Sequence, residues 1–393
     1  MRLEKTVLQV VPALDEGGAE RTTVEIARAI IGAGGRALVA SSGGRLVDEI
    51  KKAGGGFFEM PAHSKNPVSI MANRGRLIDL IKRERVDIVH ARSRAPAWSA
   101  LFAARASRVP LVTTYHGAYR AQSPLKKIYN SSMARGDLVI ANSEFTAAAI
   151  RSSYPNVKNM RVIPRGADLG EFNPLGISES RISRLRNCWG LSGPPGGLIL
   201  LLPGRLTDWK GHRLAIDAVA GLVKGTTAAS GVSPPFQLIF AGDEEGRGNF
   251  ARDLMRRVGE LGLQEMVRWV GHCDDMPAAY LLADIILSPA TRPEAFGRIA
   301  VEAGAMERVV IAADHGGARE TVIDRETGFL AQPGSVESLA SAILSASALG
   351  DSGRRAMGAR ARQWVARRFS TDAMTRATIE GYQDLLSGTS GVQ

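Results

Sequence analysis

The chain has 393 residues, 45% of them hydrophobic, which is enough for two cores rather than one and excludes a disordered chain. Lys and Arg number 50 against 39 Asp and Glu, and the net charge of +11 favours acidic partners: phosphorylated small molecules, anionic lipid or nucleic acid. Two cysteines exclude a disulfide framework, six histidines without HxxxH spacing exclude a recognisable metal site, and no apolar run is long enough for a membrane span.

The N-terminus, "MRLEKTVLQVV", runs straight into an apolar strand, so no secretory leader is expected. A reducing, cytoplasmic setting fits the cysteine usage. Short apolar runs then alternate with stretches of helical length. "TVLQVV", "RALVAS", "DIVHAR", "PLVTTYHG", "DLVIANS" and "MRVIPRG" read as strands, with helices such as "AERTTVEIARAIIGAG" and "SIMANRGRLIDLIKRER" between them. The rhythm breaks at Asp168–Gly197, rich in Pro, Gly and Ser and read in part as an interdomain linker. It restarts with "GLILLLPGR", "FQLIFAGD", "VRWVGH", "DIILSPA", "VVIAADHGG" and "GFLAQP". "KGTTAASGVSPPF" reads as an exposed loop, and the tail is helical up to a frayed "SGTSGVQ". The βαβ rhythm predicts an α/β chain of two doubly wound, Rossmann-like domains, 1–172 and 173–370. They are expected to meet across a cleft, with ligands at the carboxyl ends of the strands.

Four stretches place chemistry at such ends. "TRPEAFGRIAVEAGAM" sets Glu294 and Glu302 eight positions apart, the first before a helix and the second in its second turn, with Phe296-Gly297 opening it and Arg298 following. A helix start offers unpaired N–H groups to phosphate, and a carboxylate on either side can accept from hydroxyls. That is the outline of a sugar nucleotide. Alternatively, Glu294 pairs with the helix dipole and Glu302 is an ordinary solvated residue. "LLPGRLTDWKGH" puts Arg205 and Lys210 in one loop after a strand, suited to a diphosphate or to plain surface charge. Gly17-Gly18 in "PALDEGGAERTTVEIA" precedes another helix, without the dinucleotide or Walker A spacing. His116 in "TTYHGAY" ends a strand, and His90 ends the preceding strand and competes for the same role.

"GGAER", "TYHG", "GRLTDWKGH", "AGDEEGRGNF", "VGHCDDM", "SPATRPEAFGRIAVEAGAM" and "GGARETVIDRETGFL" occur in one order. As a set they resemble the retaining glycosyltransferases of family 4, which have the GT-B fold, and within it the bacterial lipopolysaccharide-core or envelope-glycan enzymes. The resemblance implies a C-terminal helix, 371–393, packing back on the first domain, which binds the acceptor. It also implies a UDP- or GDP-sugar as donor substrate and a glycan or glycolipid acceptor. Glu302 would hold the ribose, Glu294 the donor sugar, and the amides of Phe296, Gly297 and Arg298 the diphosphate or sugar. Arg205 and Lys210 would neutralise the leaving diphosphate, Gly17 and Gly18 would close over it, and His116 would stand at the reacting centre. Two departures stand out: Arg298 follows Phe-Gly where the family has Leu or Ile, and "AMERVV" replaces Ala-x-Gly-x-Pro-Val.

Fixed cations and helix-start amides can stabilise a leaving diphosphate without a metal, and the chain has no D-x-D, so no metal or other cofactor is expected. A retaining glycoside hydrolase using Glu294 and Glu302 is the alternative, as is a non-catalytic binder of an anionic partner. Nucleic acid is not expected. Between Asp87 and Asp137 lie eight Lys and Arg and no acid. Arg120, Lys126 and Lys127 are expected to face an anionic acceptor or the inner face of a membrane, holding the protein peripherally, unless the stretch is a plain solvated face.

Overall fold

The computed structural model describes residues 2–15, 17–119, 123–191, 197–230, 236–244, 246 and 248–388. The chain divides into two compact units, Met1–Arg165 with Thr371–Gln393, and Gly166–Ser370. The first holds a seven-stranded parallel sheet of β1 (Thr6–Val10), β2 (Arg36–Ser41), β3 (Gly56–Glu59), β4 (Ile88–Ala91), β5 (Leu111–Tyr115), β6 (Leu138–Ala141) and β7 (Met160–Val162). Their order is β3-β2-β1-β4-β5-β6-β7. The second holds β8 (Leu198–Pro203), β9 (Phe236–Ala241), β10 (Val267–Gly271), β11 (Ile285–Ser288), β12 (Val309–Ala313) and β13 (Phe329–Ala331), ordered β10-β9-β8-β11-β12-β13. Both sheets are doubly wound and Rossmann-like.

The central strands form where the apolar runs predict, because each is buried on both faces. Leu8 and Val10 of β1 pack on one side of the first sheet with Val89 and Tyr115, while Val7 packs on the other with Ile26, Ile30 and Ile88. β3 is the strand absent from the sequence reading. It is a short edge strand whose Phe57 and Phe58 are roofed by Lys51 and Arg83, at 5.9 and 5.4 Å from the ring centres, so its pattern carries no run of aliphatics.

Three segments differ from expectation. Gly166–Phe172 packs in the second unit: Ala167 N–H donates to the Phe369 carbonyl at 2.8 Å, and the Phe172 ring lies 6.2 Å from that of Tyr280. The supposed linker contains a helix, Glu179–Cys188, tied to the second unit by Arg181, which donates twice to Asp275 at 2.9 and 2.7 Å. None of its residues is fully buried, which is why its sequence reads as linker. The expected loop from Lys224 is helical as far as Ser230, the end of the His212–Ser230 helix, and 231–235 lie outside the described residues.

The Thr371–Leu386 helix belongs to the first unit, where Met374, Ile379 and Tyr382 pack with Val7, Ile26 and Ile30, and Arg161 donates to Asp384 at 2.6 Å.

Candidate active site

In the second unit the chain leaves β8 toward β9 and β10 and returns to β11 on the other side of β8. The loops after β8 and β11 therefore part at the sheet's switch point and leave a crevice at the carboxyl ends. The β8 loop carries Arg205, exposed, and Lys210, half-buried. The β11 loop carries Glu294, to which Lys210 donates, and Thr291 N–H donates to the Trp209 carbonyl at 2.8 Å. The two loops are thus fastened together through charge and backbone.

The β11 loop is held from behind by Gly316-Gly317, which follow β12. A Cβ on Gly316 would stand 2.5 Å from the Glu294 carbonyl oxygen, and one on Gly317 2.5 Å from Phe296 Cα. Gly317 N–H donates to the Glu294 carbonyl at 2.9 Å. Close backbone approach, which a side chain would prevent, is the physical content of the Gly-Gly motif. Gly297 then turns the chain through φ +80 and starts the Arg298–Ala305 helix with no side-chain cap. The N-cap residue thus supplies no side-chain acceptor to this helix start, and a helix start is the kind of site that binds phosphate.

Glu302 is not a solvated residue. It is 8% exposed and accepts from Tyr280 Oη–H at 2.8 Å and Arg298 Nε–H at 2.5 Å. Burial, and then the Glu302 charge, push the Tyr280 phenol well above its ordinary pKa, so it remains a donor. Tyr280 sits on the Met276–Leu282 helix and was invisible to motif reading. The side chain of Arg298, the family-divergent position, engages Glu302 one helical turn away.

The first unit has its own switch point, between β1 and β4. Gly17 and Gly18 open the Gly18–Gly32 helix there, again with no side-chain cap. Arg165, which sequence reading missed, comes so close that a Cβ on Gly18 would stand 2.1 Å from its Nη1. Arg92, 3% exposed, donates to Gln9 Oε1 at 3.3 Å and Thr22 Oγ1 at 2.8 Å. Burial lowers its pKa to about 10, which still leaves it charged at neutral pH.

The two competing histidines are distinguished by their partners. His90 bonds through Nδ1 to the Tyr382 hydroxyl and through Nε2 to Thr114 Oγ1, both at 2.7 Å. It is a satisfied structural histidine. Both ring nitrogens of His116 are shut off from solvent and have no hydrogen-bond partner among the described residues. Burial, then the Arg165 and Arg92 charges, push the His116 pKa well below its ordinary value, so the ring is neutral at pH 7.

The basic stretch is not one solvated face. Arg92 is buried, Arg94 stacks on Tyr119 at 4.0 Å, Arg105 bonds Asp137 at 2.8 Å and Arg135 lies over Trp98. Lys126 and Lys127 are exposed on the Pro124–Asn130 helix beside Leu125 and Ile128, themselves 79% and 60% exposed. Arg120 lies outside the described residues.

Residues 16–171 match Glycosyltransferase Family 4, and residues 191–364 match Glycosyl transferases group 1. A crystal structure of a glycosyltransferase from Rickettsia africae superposes with a TM-score of 0.87 at 34% identity, covering 98% of this chain and 99% of that one. The chain belongs to the glycosyltransferases. Two curated relatives are more distant. D-inositol 3-phosphate glycosyltransferase of Salinispora tropica is 28% identical over 305 residues, 71% of this chain and 60% of the relative. The GDP-mannose-dependent alpha-(1-6)-phosphatidylinositol monomannoside mannosyltransferase of Mycobacterium tuberculosis is 28% identical over 281 residues, 69% of this chain and 68% of the relative. This glycosyltransferase thus spans about 60% of the length of the first of these. Among its described residues, no helix is long and apolar enough to cross a membrane.

Proposed function

We propose that this glycosyltransferase moves a hexosyl group from a UDP- or GDP-sugar to an anionic glycan or glycolipid, with retention of configuration, in bacterial lipopolysaccharide or other envelope-glycan assembly. The observation that carries the reading is the uncapped helix start at Gly297, flanked by Glu294 on Lys210 and by the buried, oriented Glu302. Amides and cations suit a diphosphate, and the carboxylates suit the hydroxyls on either side of it. In this reading Glu302 accepts from the ribose and Glu294 from the donor sugar. Arg205, Lys210 and the amides of Phe296, Gly297 and Arg298 offset the charge that develops on the leaving diphosphate. Gly17 and Gly18 supply a second helix start, in the first unit, of the kind that suits a phosphate. Neutral His116 hydrogen-bonds the sugar rather than donating a full charge, and a phosphate oxygen takes the acceptor proton. A metal is not required in this scheme. A hydrolase built on the same two carboxylates would leave Arg205, Lys210 and the helix start without a role.

The names of the two curated relatives point to phosphorylated polyol acceptors, consistent with an acidic acceptor for a chain of net charge +11. Lys126 and Lys127, flanked by the exposed Leu125 and Ile128, suit an anionic membrane, where each cation is worth about 1 kcal/mol. Release of free UDP or GDP from UDP-glucose, UDP-galactose and GDP-mannose, with and without D-inositol 3-phosphate and lipid-linked glycans, tests the activity. Acceptor-dependent release that survives EDTA supports the scheme; release of free sugar with no acceptor dependence returns the hydrolase.

A further inference from the structure

One face of the first sheet carries a row of polar side chains. Alternation along the strands sends Val7, Ile88, Val112, Leu138 and Ile140 to the face packed by Ile26, Ile30 and Tyr382. It sends Gln9, His90 and Thr114 to the same face, and Arg92, His116 and Asn142 continue the same parity one residue past the ends of β4, β5 and β6. Nearly all of these are bonded: Gln9 to the Thr23 carbonyl, Arg92 to Gln9 and Thr22, His90 to Tyr382 and Thr114. Among the described residues, the exceptions are His116 and Asn142. Tyr115 pairs with Ala141 at the carboxyl ends of β5 and β6, and His116 and Asn142 are the next residue after each.

Asn142 is 2% exposed, and among the described residues neither its Oδ1 nor its Nδ2 has a hydrogen-bond partner. Other asparagines of the unit are paired: Asn73 Nδ2–H donates to the Pro61 carbonyl and Asn159 Nδ2–H to the Asp137 carbonyl, each at 2.9 Å. An amide buried with donor and acceptor both unmet is costly, and a packing position would be filled better by an apolar residue. The chemistry of the pair selects its ligand. Asn142 and a neutral His116 together offer N–H donors and two acceptors, Oδ1 and one ring nitrogen. A phosphate would use the donors only, and a cation would meet Arg92 and Arg165, whose charges reach His116. A hydroxyl both gives and accepts, so a sugar ring edge satisfies all of them.

We infer that Asn142 is a sugar-binding residue, holding with His116 one hydroxyl-bearing edge of the donor or acceptor sugar; this rests on the transferase reading. Asn142→Leu and Asn142→Ser are compared with wild type in two arms. Calorimetry with UDP-glucose and GDP-mannose, against UDP and GDP alone, reads the donor sugar. Saturation-transfer NMR with D-inositol 3-phosphate and methyl mannoside reads the acceptor. The expected result is a loss of about tenfold in one arm, the size of one lost hydrogen bond, with UDP and GDP affinity unchanged. Asn142→Leu is expected to melt no lower than wild type, because it removes an unmet amide; Asn142→Ser keeps the test open if Leu does not fit. Equal binding in both arms, or a lower melting temperature with parallel loss of nucleotide affinity, overturns the inference. If wild type binds none of these nucleotides, the transferase reading itself fails, which separates the two failures.

Discussion

At the scale of single residues, the site is defined by which polar atoms are satisfied. Glu302 is oriented by Tyr280 and Arg298, so the carboxylate is already aimed before any ligand arrives. Glu302→Ala is expected to weaken nucleotide binding by about 1.5–3 kcal/mol, the worth of a hydrogen bond to a charged group. Tyr280→Phe, which leaves the carboxylate but frees its orientation, should cost about 1 kcal/mol. Calorimetry with UDP and GDP reads both, and unchanged affinity in Glu302→Ala would remove the ribose assignment. The histidines make a second contrast. His116→Ala should retain its melting temperature and lose nearly all transfer. His90→Ala should lose about 1–3 kcal/mol of stability, because the Tyr382 hydroxyl and Thr114 Oγ1 are left unmet inside the core. Urea melts and initial rates on the two variants check this, and the reverse pattern would exchange their roles.

At the scale of elements, helix starts and tight loops do the positioning. The β11 loop is trapped between Lys210 on one side and Gly316-Gly317 on the other, so it cannot move without breaking a charge pair or a backbone contact. The Pro124–Asn130 helix is the opposite case: it presents Leu125 and Ile128 to solvent next to Lys126 and Lys127. Wild type is expected to float with anionic liposomes at low salt and less at high salt. Lys126→Ser with Lys127→Ser should reduce flotation and its salt dependence, whereas Leu125→Ser with Ile128→Ser should reduce the part that persists in salt. Equal flotation of all three proteins would leave the helix as an ordinary solvated element.

At the scale of the whole molecule, buried histidines make stability depend on pH. Burial holds His90 and His116 well below the ordinary value of 6.5 and brings His212 down to about 4. The unfolded chain therefore takes up protons near pH 6.5 that the folded chain refuses. Stability should be level above that pH and fall as pH drops below it, through pH 4 for His212 and further for the other two. Each histidine contributes up to about 1.4 kcal/mol per pH unit. Urea midpoints at pH 7.5, 6.0 and 5.0 measure it; a midpoint independent of pH would show that these rings are not held neutral. The same molecule-wide view sorts what could be read in advance from what could not. The apolar strand runs other than β3, the helix opened by Phe296-Gly297 and the placement of Glu302 in its second turn were legible, because apolar patterning, propensity and turn chemistry act over a few neighbouring residues. The identity of each polar partner was not. His90 finds Tyr382 at 292 positions' remove, Tyr280 reaches Glu302 across 22, Arg165 lies over Gly18, and Arg181 turns an apparent linker into a packed helix. A hydrogen bond needs two groups within about 3 Å, and only the folded chain brings distant residues that close. Whether a buried histidine is a structural strut or an unmet site is therefore a property of the tertiary arrangement, even though both histidines end strands that the sequence marks equally well.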